Sequence, residues 1–194
     1  MPSYPKKFAG TEPLGDGSRS VLVISFRAAA GAPGTRAREL LRPSDVVAFA
    51  CLPANFRSVL SNLATCSVPL AFGGKTFATL EHAFQAQKFK DVAPAAYGEF
   101  SMESGSPLSR GDGFAARAAR KRVTLSRPQV AAWDARKDGV MACLWRAKFS
   151  ALNERAVLLA TGGAELWHAA PRVRAVRWTD LEALRDEMRA AGGA

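Results

Sequence analysis

Cysteine is scarce in this 194-residue chain, and the three present, Cys51, Cys66 and Cys143, are an odd number without metal-type spacing. That pattern excludes a disulfide-stapled scaffold and a cysteine-based zinc module, and the three read as reduced, buried residues. Histidine is scarcer still, with two. No apolar run approaches the ~18 residues that a membrane-crossing helix needs. A Gly-rich phosphate loop, internal repeats and low-complexity tracts are all missing. Residues 1–8 carry charge without a following apolar stretch, so no secretory signal is expected and a cytoplasmic setting is. No cofactor and no metal site are expected.

Acidic residues are outnumbered 17 to 27 by Lys and Arg, which leaves a formal net charge of +10. An excess of that sign favours phosphate-bearing partners, from small nucleotides to nucleic acid, and gives no reason to expect a membrane partner. Two clusters carry much of it: Arg117, Arg120, Lys121, Arg122 and Arg127, then Arg172, Arg174 and Arg177. Neither is interleaved with aromatics that would stack bases, so nucleic-acid contact stays open. Hydrophobic residues make up 48% and charged residues 23%, enough to bury a sizeable core.

Residues 1–20, with Pro2, Pro5 and Pro13, read as a poorly ordered lead-in. The β-branched run 21–26 predicts a strand, and 1–44 as a whole reads as an N-terminal extension ahead of a main domain over 45–190. One or two helical turns are expected over 36–41. A second strand is expected over 45–51, and residues 56–60 then lead to Ser61 and Asn62 at a strand-to-loop junction. Residues 68–72 and 75–77 predict a hairpin around Gly73-Gly74, whose first strand Pro69 confines to a sheet edge. Helices are expected over 94–104, 114–122, 128–149 (with a soft spot at Gly139) and 152–160. Residues 165–178 are ambiguous between strand and loop. The run Thr179-Asp180-Leu181-Glu182 reads as a capping box opening a final helix. The fold class expected is α+β, mainly α-helical, with a small antiparallel sheet or hairpin feeding a central helix.

That central helix is expected over 80–90, with Thr79 as its N-cap. At about 100° per residue, Glu81, Phe84, Gln85 and Lys88 share one face. An acid, an amide and an amine occupy a stripe that ordinary amphipathic logic fills with Leu or Val. In the first turn the macrodipole favours an ionised Glu81, unless burial overrides it. On the long helix, Trp133, Lys137, Val140, Leu144 and Lys148 form a broad stripe, on which Trp133 and Leu144 equally suit core packing.

The chain resembles the YbiA-like N-glycosidases, also called the NADAR domain, from residue 45 to about 161. The resemblance rests on Leu60-Ser61-Asn62, Gly74-Lys75-Thr76-Phe77, Glu81-His82-Ala83-Phe84-Gln85-Ala86-Gln87-Lys88-Phe89, Trp133, and Lys137-Asp138-Gly139-Val140-Met141 leading to Arg146-Ala147-Lys148-Phe149. It implies hydrolysis of the bond between ribose and a heterocycle, through an oxocarbenium-like state that a carboxylate stabilises. The catalytic set implied is Glu81, Lys88 and Trp133, with Ser61, Asn62, Gln85, Lys148, Trp167 and His168 against the substrate. Lys88 is either a phosphate anchor or a nucleophile on an opened ribose. Trp133 and Trp167 are candidates to stack the base. Two substrate classes are associated with the family: ADP-ribose on guanine, in a nucleoside or nucleic acid, and aminopyrimidine intermediates of riboflavin synthesis. The basic excess favours the first. One departure exists, since the acid that the family places ahead of a Trp-Gly pair has no clear counterpart here. Glu165 or His168 stands in its place, or the domain only binds ADP-ribose or nucleic acid.

Overall fold

The computed structural model describes residues 14–25, 30–169 and 174–192. In chain order these form β1 (Val21–Ile24), α1 (Val46–Phe49), α2 (Phe56–Leu60), β2 (Thr65–Phe72), β3 (Lys75–Thr79), α3 (Leu80–Phe89), α4 (Pro94–Glu99), α5 (Gly113–Ala119), α6 (Arg127–Lys148), α7 (Leu152–Ala160), β4 (Glu165–His168), β5 (Val176–Arg177) and α8 (Thr179–Gly192). The architecture is α+β. It divides into two units, one continuous from Val59 to Ala156, the other assembled from residues up to Ser58 and from Val157 onward.

In the continuous unit, β2 and β3 form the expected hairpin. Gly73 and Gly74, at φ 59° and 77°, supply the left-handed pair that a two-residue turn demands. Pairing runs from Phe72↔Lys75 to Leu70↔Phe77 and shifts before Thr65↔Thr79, across the stretch where Pro69 has no amide to give. β3 passes straight into α3. Thr79 stays extended and its Oγ1 accepts from the His82 amide at 3.1 Å, so the cap is as expected. The His82 ring is buried as well: Nε2 donates to the Leu108 carbonyl at 2.9 Å, which leaves Nδ1 to accept from the Thr79 hydroxyl at 2.8 Å. Burial lowers its pKa, so His82 is a neutral strut. α3 packs against α4, α5 and α6. α6 opens with a capping box between Ser126 and Gln129 and runs unbroken through Gly139. Trp133 and Leu144 are buried on either side of that glycine.

In the other unit, β1 pairs in parallel with β4 from Val21↔Glu165 to Ile24↔His168, and β5 joins antiparallel. The sheet therefore mixes directions, where only an antiparallel one was expected. The strand expected within the 1–44 stretch pairs with β4. Residues 14–20 are docked: Leu14 is buried with Val21 and Val23, and the Ser20 carbonyl accepts from the Glu165 amide at 2.7 Å. The lead-in reading is corrected for these seven, while residues 1–13 and the end of the 21–26 run lie outside the described residues.

Other local expectations also change. Residues 45–51 form no strand: a 3₁₀ turn at Pro43–Asp45 leads into α1, and Val46 and Val47 are 52% and 84% exposed. A β-branched run with no face to bury has nothing to hold it extended. α2 replaces the strand before Ser61. Residues 36–41 turn at Arg38, φ 73°, instead of coiling. The 94–104 helix stops at Glu99 and resumes only as a 3₁₀ turn at Met102–Ser104. Cys51 and Cys143 are exposed, so only Cys66 is buried as expected. Glu182 is drawn into the sheet, accepting from the Leu166 amide at 2.9 Å and from Arg177 at 2.8 and 3.0 Å. A carboxylate with those partners gains more than a cap offers.

Candidate active site

The site grows from the turn between α2 and β2. The Ser61 hydroxyl accepts from the Leu63 amide at 3.3 Å, which closes the turn locally. Its carbonyl accepts from the Lys148 amine at 2.6 Å. Asn62 is then presented to two helices at once. Its carbonyl accepts from the Glu81 amide at 3.0 Å, satisfying an orphan donor of the first turn of α3. Its side-chain oxygen accepts from the Trp145 indole at 3.0 Å, while its amide nitrogen points at the Met141 sulfur at 3.6 Å.

On the polar face of α3, Gln85 Nε2 donates to Glu81 Oε1 at 2.8 Å, an i,i+4 pair. Phe84 meets Trp133 edge to face, centroids 5.0 Å apart, and the Arg136 guanidinium lies 5.3 Å from the same indole. Trp133 is 7% exposed, so it packs as well as lines. Lys88, a turn further, has its amine 5.7 Å from the Phe89 ring and no hydrogen bond among the described residues.

Burial raises the Glu81 pKa above its ordinary 4.5, and the Gln85 hydrogen bond and the charges of Arg117 and Arg120 pull it back in part. Burial thus outweighs the helix end that favoured a fully ionised acid. Lys148 is 2% exposed, and burial lowers its amine to about 8, with Cys66 and Glu154 opposing. Glu154 accepts from the Ser67 amide and hydroxyl at 2.6 and 2.5 Å. Among the described residues no three His, Cys, Asp or Glu side chains cluster as a metal site, and no helix is long and apolar enough to cross a membrane.

The structure therefore brings Glu81, Gln85, Asn62, Ser61 and Lys148 into one hydrogen-bonded set, with Phe84 and Trp133 beside it. Ser61 and Lys148 are spent on each other, which makes them supports of Asn62 before anything else. Trp167 and His168 belong to the other unit. There the Trp167 indole donates to Glu165 at 2.9 Å, and His168 stacks on Trp178 at 5.2 Å. Glu165 also takes Arg177 at 2.6 Å. Sequence reasoning missed Trp145 and Met141, whose spacing with Lys148 (i, i+4, i+7) marks one face of α6. It also missed the reach of Arg117 and Arg120 to Glu81, which depends on how α5 packs on α3. A half-buried carboxyl of raised proton affinity, steered by an amide and flanked by aromatic rings, is suited to stabilising a developing cation or moving one proton.

No family model matches the chain. It is 42% identical over 99 residues to N-glycosidase YbiA of Escherichia coli strain K12 and equally to that of Shigella boydii serotype 4, covering 50% of this chain and 55% of each relative. The chain thus spans about half the length of the curated relatives it matches. The solved NMR structure of the E. coli protein YbiA superposes with a TM-score of 0.50 and 32% identity, covering 71% of this chain and 79% of that one. A fold shared over most of that structure, at an identity well above chance, carries one conclusion: the chain belongs to the YbiA family.

Proposed function

We propose that the protein is an N-glycosidase that hydrolyses the bond between ribose and a heterocycle. The observation that carries this is Glu81, a half-buried carboxyl of raised proton affinity held by Gln85 beside the Phe84–Trp133 pair. The relatives that bear the name N-glycosidase YbiA support it. In the reaction the C–N electron pair leaves with the base, water adds to the anomeric carbon, and the base regains a proton. Glu81 stabilises the oxocarbenium-like charge and takes the proton of the attacking water. Gln85 fixes the carboxyl, Asn62 fixes the backbone of Glu81, and Trp133 offers an aromatic edge to the base. Lys88 reaches the ribose as phosphate anchor or nucleophile. The favoured substrate is ADP-ribosylated guanine, as nucleoside or in nucleic acid, followed by ribosylated aminopyrimidines of riboflavin synthesis. Three free cysteines suit a reducing cytoplasm as the setting.

The second reading is a module that binds ADP-ribose or nucleic acid without turnover. It is favoured by Glu165, the candidate second acid, being tied to Arg177 and Trp167. Incubation with ADP-ribosylated guanosine and with the aminopyrimidine ribosides, read by mass spectrometry, separates the two. Free base and free sugar are expected from the wild type, with a loss of about 10²-fold or more in a folded Glu81→Gln variant. Full turnover in that variant removes Glu81 from the mechanism, and no product from the wild type leaves only binding.

A further inference from the structure

α5 and the turn that follows it carry cations that neither the fold nor the proposed chemistry uses. Arg117, Arg120 and Lys121 are exposed, and their side chains make no hydrogen bond or ion pair among the described residues. Arg122, next in line, is different, since it pairs with Glu99 at 2.6 Å. Spacings of three and four place the unpaired cations together, where like charges repel. With Phe114 and Ala118 they border a cavity of about 320 Å³.

The position of α5 is fixed relative to Glu81. Asp112 caps the helix by accepting from the Ala115 amide at 2.9 Å. Gly113 lies so close to the site turn that an added Cβ would stand 2.5 Å from the Leu63 Cα and carbonyl oxygen. Leu63 follows Asn62, whose carbonyl holds the Glu81 amide. Backbone contact thus registers the cationic helix to the acid. The field agrees with the geometry, because Arg117 and Arg120 are the cations that act on the Glu81 carboxyl.

We infer that Arg117, Arg120 and Lys121 form the phosphate subsite of the Glu81 site, receiving the mono- or diphosphate that extends from the substrate's ribose. The inference rests on the N-glycosidase reading and adds where the substrate's charge is held. Guanidinium groups bind phosphate oxygens in pairs, and a dianion relieves the repulsion among three unpaired cations. The step from Arg117 to Lys121 rises only about 6 Å at helical pitch, room for one or two phosphates but not for a nucleic-acid track.

The test is titration of the full-length protein with inorganic pyrophosphate, by calorimetry. Glu81→Gln is expected to bind it at least as tightly as the wild type, because it removes a negative charge that Arg117 and Arg120 face. Arg117→Ala/Arg120→Ala is expected to lose about tenfold to a hundredfold in affinity, as charged hydrogen bonds dictate. Arg122→Ala is expected to leave affinity unchanged. Failure of the wild type to bind pyrophosphate overturns the inference, and so does equal weakening in all the arginine variants, which marks diffuse charge. Binding of a polynucleotide that pyrophosphate does not displace also overturns it, in favour of a nucleic-acid face. Arginine-dependent binding in a wild type that releases no base sinks the glycosidase reading and leaves this subsite standing.

Discussion

Replacing Lys148 with Met removes a buried charge and keeps the length of the side chain. The amine sits 2% exposed with its pKa lowered to about 8, so near pH 7 the folded protein holds the proton at a cost of about 3 kcal/mol. Lys148→Met relieves that cost but breaks the hydrogen bond to Ser61 and leaves its carbonyl unpaired, worth about 1–3 kcal/mol. The two effects offset one another, and the variant should unfold within a few degrees of the wild type. Their pH dependence does not offset. With the folded pKa depressed, the unfolded chain binds more protons between about 8 and 10.5, so wild-type stability rises with pH across that window. Urea melts of both proteins, in a Cys66→Ala background to silence the neighbouring thiol, should show the wild type gaining about 2 kcal/mol over the variant between roughly pH 7.5 and pH 10. Turnover should fall in the variant at constant stability, because Ser61 no longer fixes Asn62 and, through it, Glu81. Parallel pH curves would refute the buried cation, and unchanged turnover would refute the positioning role.

With Glu81 acting as a carboxylate, the acid limb of kcat/KM should lie above glutamate's ordinary 4.5 and move higher still in Arg117→Ala, which removes a charge that lowers it. A limb at or below that value contradicts the burial argument. For Lys88, Lys88→Arg should abolish turnover if a neutral amine attacks the ribose, and mainly raise KM if the group only anchors phosphate. A borohydride-trapped mass increase on Lys88 reports the covalent route, and retained turnover in Lys88→Arg with no trapped adduct excludes it. In the other unit, Leu14→Ala should cost about 2 kcal/mol and lower Tm by about 4–8 °C, since Leu14 packs on Val21 and Val23. An unchanged Tm would mean that this segment is not docked.

What was legible in the sequence was written in short range. Thr79 before Leu80 and Gly73-Gly74 between two apolar runs each specify their own backbone, and each forms as expected. Residues 45–51 were misread because propensity carries no knowledge of burial, and Val46 and Val47 face solvent. Glu182 shows the converse: a local capping pattern loses its acid to Arg177 and the Leu166 amide, partners that only the assembled sheet provides. At the site, the stripe of Glu81, Gln85 and Lys88 followed from helical spacing. The role of Asn62 as a joint between α3 and α6 did not, because Trp145 lies 83 positions away in sequence. Arg117 and Arg120 were visible as charge, but their action on Glu81 exists only once α5 has packed.

The continuous unit, with Glu81, Asn62 and Lys148 all inside it, is complete once Ala156 has been made. The other unit must wait longer, because β1 pairs with a strand that begins only at Glu165. On a ribosome that releases the chain from its N-terminus, the candidate catalytic segment can therefore reach its native contacts while Val21–Ile24 still lacks β4. For that interval β1 is an apolar strand whose β4 edge is unpaired, the kind of segment that associates with other chains. The span from β1 to β4 makes the closing of this sheet the slow, long-range step of folding. Its failure would yield a protein with an assembled Glu81 site and a tendency to aggregate.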